Sequence, residues 1–102
     1  MKNYSNLLPN NFLVACQQDK QGILLDVRTQ EEFEALHLPN AINIDIKKID
    51  FTELISELDK QKNYYIYCQI GLRSANACNY MARQGFNTYN LQGGLRALSS
   101  GN

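Results

Sequence analysis

The residues best suited to chemistry in this sequence are Cys68–Ser74, which read CQIGLRS. They follow Tyr64–Tyr67, an unbroken run of β-favouring residues that predicts a strand buried on both faces of a parallel sheet. The spacing of apolar residues after the loop predicts a helix from about Ser74 to Arg83. Because ligands of open α/β sheets bind beyond the carboxyl ends of the strands, Cys68 is predicted to lie at a functional edge.

Three features of this loop favour the thiolate form of Cys68. Gly71 permits positive φ and close backbone approach, so that several backbone N–H groups can point at the sulfur. The helix starting near Ser74 adds the positive end of its dipole, and Arg73 adds a full positive charge. Since the thiolate is the nucleophilic form of cysteine, we expect this sulfur to be held, ionised and reachable from solvent.

Length and composition narrow the class of protein. The 102 residues suit one domain over residues 1–102, and a composition of 44% hydrophobic and 20% charged residues is ordinary for a globular protein. Ten basic residues balance ten acidic ones, so nothing indicates a nucleic-acid or membrane-surface partner. The first residues lack the apolar core of a signal peptide, and no apolar run approaches membrane-spanning length, so we expect a cytoplasmic protein.

The three cysteines, Cys16, Cys68 and Cys78, form an odd set without the spacing of metal ligands. Free thiols in a reducing compartment fit this pattern best. Cys16 and Cys78 are interpreted as small hydrophobic residues of the core, with a disulfide role for Cys78 as the less favoured alternative.

Strands alternate with helices along the chain, which predicts an α/β fold with an open, mainly parallel sheet and helices on both faces. Residues 1–8 are expected to be a loose lead-in to a helix that begins at Pro9. Gly22–Arg28 is predicted to be an interior strand, and Thr88–Leu91 is predicted to be the last strand.

Several polar residues have predicted structural roles. Thr29 with Glu32, and Asp50 with Glu53, have the spacing of capping boxes at helix starts. Asp26 lies within the predicted Gly22–Arg28 strand, so its carboxylate must find hydrogen-bond donors in the interior.

In four segments the sequence resembles the rhodanese-domain sulfurtransferases. The segments are Leu25–Arg28 followed by Glu32-Phe33, His37–Ile44, the Cys68–Ser74 loop, and Gln92–Leu98. The second segment departs from the family pattern, because Leu36 and Asn40 stand where glycines are usual. Asn40 tolerates left-handed backbone and Leu36 does not, so the turn before His37 is expected to be shaped differently.

The resemblance implies a rhodanese-like fold and sulfur transfer through a persulfide on Cys68. The donor would be a small molecule such as thiosulfate, and the acceptor a thiol, cyanide or a protein. The implied substrate-binding residues are those of the loop: Gln69, Ile70, Gly71, Leu72, Arg73 and Ser74. Arg73 is expected to bind or steer the donor's anionic group, and no metal or organic cofactor is required. His37, the only histidine, is assigned to a structural turn rather than to a Cys–His pair.

Two alternatives of other classes stay open. Phosphatases and arsenate reductases also use a thiolate near an arginine, but related phosphatases have five residues between the two, whereas here four intervene and suit a single sulfur better. A non-enzymatic module that binds persulfide or recruits a partner is the second alternative. Because Gln69 and Leu72 are uncharged, a protein persulfide or a small thiol donor also stays open beside thiosulfate.

Overall fold

The strand that precedes Cys68 lies at the centre of a five-stranded sheet in the computed structural model, which describes residues 2–99. The strands are β1 (Ser5–Leu7), β2 (Gly22–Asp26), β3 (Ile42–Asn43), β4 (Asn63–Tyr67) and β5 (Asn87–Leu91). The helices are α1 (Pro9–Gln18), α2 (Gln30–Ala35), α3 (Phe51–Ser56), α4 (Leu72–Arg83) and α5 (Gly94–Ser99). The order is β1-β5-β4-β2-β3 and every pair is parallel, which confirms the predicted α/β class.

Residues of β4 alternate between the two faces of the sheet. Tyr64 and Ile66 pack into an apolar cluster with residues of α3 and α4. Tyr65 and Tyr67 pack into a second cluster with residues of α1 and α5. Helices therefore cover both faces, as predicted, and the strand that leads to Cys68 is held from both sides.

The expectation of a loose lead-in is wrong for residues 5–7. These residues form β1 and pair in parallel with β5, with Asn6 opposite Asn90. The strand is short, largely exposed and without an alternating apolar pattern, so its pairing partner rather than its own sequence determines its conformation.

The two predicted capping boxes have different outcomes. Thr29 accepts a hydrogen bond from the Glu32 N–H at 3.1 Å, and Glu32 Oε1 accepts one from the Thr29 N–H at 3.2 Å, which confirms the first. The second prediction is wrong, because the Asp50 side chain makes no capping hydrogen bond. Asp50 has φ −92° and ψ 11°, whereas a capping side chain needs the extended backbone that Thr29 adopts.

Leu36 and Asn40, which stand where the family pattern has glycines, adopt different backbone conformations. Leu36 is extended, at φ −167° and ψ 131°, and needs no left-handed backbone. Asn40 has φ 68°, the conformation that asparagine tolerates best after glycine. Within residues 2–99, no helix is long and apolar enough to cross a membrane.

Candidate active site

The loop after β4 is shorter than the sequence pattern predicts. Helix α4 begins at Leu72, two residues before the expected start at Ser74. Gly71 is the N-cap residue of α4 at φ 93°, so its positive φ turns the chain directly into the helix. Only Gln69, Ile70 and Gly71 therefore separate Cys68 from α4.

Backbone N–H groups converge on the Cys68 sulfur. The Gly71 N–H donates to Sγ at 3.2 Å, and the Ser74 N–H donates to Sγ at 3.3 Å. The Ser74 hydroxyl lies 3.3 Å from the same sulfur. Both N–H groups belong to the amino-terminal end of the 12-residue helix α4, where the helix dipole favours negative charge. Of the several N–H groups expected to point at the sulfur, two therefore do so in this structure.

The expectation of a solvent-reachable sulfur is wrong for this conformation. Cys68 has no exposed surface and belongs to the cluster that packs against α4. The early start of α4 places the Gly71 and Ser74 N–H groups against the sulfur, so this buried atom still has hydrogen-bond donors.

Helix α5 holds the loop in place by its backbone. The Leu95 N–H donates to the Cys68 carbonyl at 3.0 Å, and the Arg96 N–H donates to the Gln69 carbonyl at 3.0 Å. Gly94 lies so close that a Cβ there would collide with the backbone of Gln69 and Ile70. The Gly93-Gly94 turn therefore permits a backbone-to-backbone contact for which only glycine leaves enough space at position 94.

Asn90 connects the loop to the edge of the sheet. Its Nδ2 donates to the Gly71 carbonyl at 3.4 Å and to Asn6 Oδ1 at 2.9 Å. Asn90 is almost fully buried, and its Oδ1 has no hydrogen-bond partner. β1, which the sequence pattern did not predict, thus contributes to the support of Gly71.

Arg73 forms a two-point ion pair with Glu32. Its Nη1 lies 2.7 Å from Oε1 and its Nη2 lies 3.0 Å from Oε2. The guanidinium holds the pKa of Glu32 at about 2, against an ordinary value of 4.5. Sequence reasoning found the capping role of Glu32 but missed this pair, since the partners stand 41 residues apart and no local pattern connects them.

Arg28 also hydrogen-bonds to neighbouring residues. Its Nε and Nη2 donate to the buried Asp26 carboxylate, with the shortest distance 2.7 Å, and Nη2 also donates to the Leu36 carbonyl. Nη1 lies 3.5 Å from Oε1 of Gln69. The prediction that Asp26 finds interior donors is therefore confirmed.

The remaining loop side chains form an uncharged rim. Gln69 is exposed, Ile70 is 47% exposed and Leu72 is 66% exposed. Of the predicted site residues, Gly71 and Ser74 contact the sulfur and Arg73 pairs with Glu32. The other three, Gln69, Ile70 and Leu72, border the loop at the surface.

The other cysteines lie elsewhere. Cys78 is fully buried, and that burial raises the pKa of its thiol. Cys16 is half-buried beside a cavity of about 420 Å³ whose lining includes no residue of the Cys68–Ser74 loop. All three cysteines are free thiols, and residues 2–99 contain no cluster of three or more His, Cys, Asp or Glu side chains suited to a metal ion.

Comparison with known proteins gives consistent results. Residues 11–100 match the family described as Rhodanese-like domain. YtwF of Bacillus subtilis, named as a candidate sulfurtransferase, is 40% identical over 81 residues, which cover 79% of this chain and 77% of that protein. The thiosulfate sulfurtransferase GlpE of Coxiella burnetii is 33% identical over 74 residues, which cover 72% of this chain and 67% of GlpE.

A solved structure and some longer relatives complete the comparison. The crystal structure of a rhodanese-like domain protein from Staphylococcus aureus superposes with a TM-score of 0.80 at 28% identity, covering 91% of this chain and 89% of that one. Other relatives are much longer, and this chain spans only 14% to 22% of their length.

Proposed function

The chain belongs to the rhodanese-like domain family, and from this premise we propose that it is a sulfurtransferase that carries sulfane sulfur as a persulfide on Cys68. The observation that carries the proposal is the convergence of the Gly71 and Ser74 N–H groups on Cys68 Sγ, at 3.2 and 3.3 Å. Relatives with sulfurtransferase names, at 33% to 40% identity, support the same class of reaction.

The reaction proceeds in two half-reactions. The Cys68 thiolate attacks the outer sulfur of a donor, the bond between that sulfur and the rest of the donor breaks, and the rest leaves with the electron pair. With thiosulfate the leaving group is sulfite. An acceptor thiol or cyanide, or a thiol on a protein, then attacks the outer sulfur of the persulfide and restores the Cys68 thiolate.

The loop residues have distinct roles in this scheme. The N–H groups of Gly71 and Ser74 stabilise negative charge on sulfur before and after transfer, and no organic or metal cofactor takes part. Gln69, Ile70 and Leu72 border the path of the donor. Arg73 sits beside this path, with its charge balanced by Glu32.

Donor access requires a movement in the loop. Cys68 has no exposed surface, and a persulfide extends about 2 Å beyond Sγ. Ile70 and Leu72, which are exposed and free of hydrogen-bonding side-chain groups, can move at low cost.

Free thiols fit a reducing environment, and we propose the cytoplasm as the place of reaction.

The proposal is tested by intact-mass measurement after incubation with a panel of sulfane-sulfur donors. We expect the native protein to gain one sulfur atom and to lose it again when cyanide or a thiol is added. The Cys68→Ser variant should gain none and should unfold at a similar temperature, while Cys16→Ser should load as the native protein does.

Failure of the native protein to load from any donor would contradict the proposal. A protein that binds persulfide-bearing partners without accepting their sulfur would then be the better interpretation.

A further inference from the structure

The Glu32–Arg73 ion pair leaves the loop without a free arginine for the donor. Both Nη atoms of Arg73 are bonded to Glu32, at 2.7 and 3.0 Å, and the low pKa of Glu32 keeps the carboxylate charged at neutral pH. Glu32 Oε1 also accepts from the Thr29 N–H, so the cap of α2 fixes the position of the carboxylate.

The second arginine near the loop is equally engaged. Arg28 is 3% exposed, and its guanidinium donates hydrogen bonds to the Asp26 carboxylate, the Leu36 carbonyl and the Gln69 side chain. Arg96 donates its backbone N–H to the Gln69 carbonyl and has a further interaction besides. The exposed loop side chains, Gln69, Ile70 and Leu72, carry no charge.

An oxyanion-bearing donor needs a cation that this loop does not offer. Thiosulfate is a dianion with an anionic sulfonate end, and burying such a group without an opposite charge is costly. A thiol persulfide carries its transferable sulfur on a carbon-bound sulfur, so the loop N–H groups and an uncharged rim are sufficient to receive it.

From this arrangement we propose that the donor is a thiol persulfide rather than an oxyanion such as thiosulfate, and that Glu32 determines this preference by holding Arg73. The inference rests on the proposed sulfur transfer. The Cys68 thiolate attacks the outer sulfur of R–S–SH, the S–S bond of the donor breaks, and R–S⁻ leaves while Cys68–S–SH forms. No oxidant or reductant is consumed.

The test compares two donors, thiosulfate and the persulfide of N-acetylcysteine methyl ester, whose carrier has no anionic group. We expect the native protein to show a kcat/KM for loading at least about tenfold higher with the persulfide. Because this arm uses no variant, a preference for thiosulfate would by itself overturn the proposal.

The second arm uses Glu32→Gln. Glutamine can still complete the cap of α2, but it removes the charge that holds Arg73. We expect KM for thiosulfate to fall about tenfold, with less than about a twofold change in kcat/KM for the persulfide. Glu31→Gln, which removes an exposed charge of the same helix, is the matched control and should change neither value.

The outcomes separate this inference from the proposed function. If Glu32→Gln lowers loading from both donors equally, the ion pair is merely structural and the inference fails. If Glu32→Gln leaves thiosulfate use unchanged while Arg96→Gln abolishes it, the cation is Arg96 and the inference also fails. If neither donor loads Cys68 in any variant, sulfur transfer itself is overturned, and the inference with it.

Discussion

The difference between Cys68 and Cys78 shows how burial and hydrogen bonding separate two cysteines of one core cluster. Neither residue has exposed surface. Cys68 receives two backbone N–H groups at the start of α4, whereas Cys78 lies within α4 and its pKa is raised by burial. Burial alone therefore does not distinguish the two sulfurs, because the hydrogen-bond donors around them differ.

This contrast predicts the order of alkylation in the folded protein. With iodoacetamide at neutral pH, Cys68 should react at least about tenfold faster than Cys78. Cys68 receives two backbone N–H groups beside a surface loop, whereas burial raises the pKa of Cys78 despite a hydrogen bond from Thr88. Peptide mass spectrometry after digestion measures both rates in one sample. Equal rates would mean that the loop N–H groups do not activate Cys68.

At the scale of elements, the site depends on close backbone contact between the Cys68 loop and α5. Gly94 has φ 67°, and a Cβ there would collide with the backbone of Gln69 and Ile70. Gly85 offers a comparison, since it has φ 97° but its nearest neighbour is the flexible Lys60 side chain at 3.8 Å. Comparing the two positions therefore distinguishes the energetic cost of positive φ, which applies at both, from the cost of a steric clash, which applies only at Gly94.

We predict that Gly94→Ala destabilises the protein more than Gly85→Ala does. Gly85→Ala should cost about 1–2 kcal/mol in free energy of unfolding, from backbone strain alone. Gly94→Ala should cost at least about 1 kcal/mol more and should slow sulfur loading, since the backbone of the loop must shift. Urea denaturation gives the first quantity and intact mass the second; equal effects of both variants would contradict the proposed backbone contact.

Local signals predicted the elements well, and non-local contacts account for what was missed. The Thr29–Glu32 capping box involves neighbours in sequence, so the pattern alone identified it. β1 was missed because three exposed residues without periodicity become a strand only by pairing with β5. Asp50 is a residue type that often caps helices, but its backbone lacks the extended conformation that a cap needs, and the residue pattern does not reveal that conformation.

The same distinction applies to the candidate site. The position of Cys68 and the positive φ of Gly71 follow from the strand–glycine–helix pattern and are confirmed. The engagement of Arg73 by Glu32 depends on how α2 and α4 lie beside each other, and the burial of the sulfur depends on the packing of its core cluster. Both therefore required the structure.

For the whole molecule, the parallel sheet brings the supports of the site to one edge. Asp26 ends β2, Tyr67 ends β4 and Leu91 ends β5, so the segments that follow these strands meet at their carboxyl ends. The Glu32–Arg73 pair then joins α2, which follows β2, to α4, which follows β4. One ion pair thus links two strand–helix units whose strands, β2 and β4, are neighbours in the sheet.

This link predicts how stability depends on pH. The pKa of Glu32 is about 2 in the folded protein, below its ordinary 4.5, because Arg73 bonds to the carboxylate. The stabilisation is therefore complete above about pH 4.5 and is lost as pH falls towards 2. Because both partners are partly exposed, with side-chain exposures of 26% and 33%, we expect only about 1 kcal/mol at neutral pH.

The measurement is the difference in free energy of unfolding between the native protein and Glu32→Gln, followed from pH 7 downwards. Other carboxylates titrate alike in both proteins, so the difference isolates Glu32 and should shrink below about pH 4.5. Glu31→Gln should give a small difference at every pH, since its carboxylate is exposed. If the difference in free energy of unfolding between the native protein and Glu32→Gln does not change with pH, lost packing rather than the charge on Glu32 accounts for it. In that case α2 and α4 are held together without their ion pair.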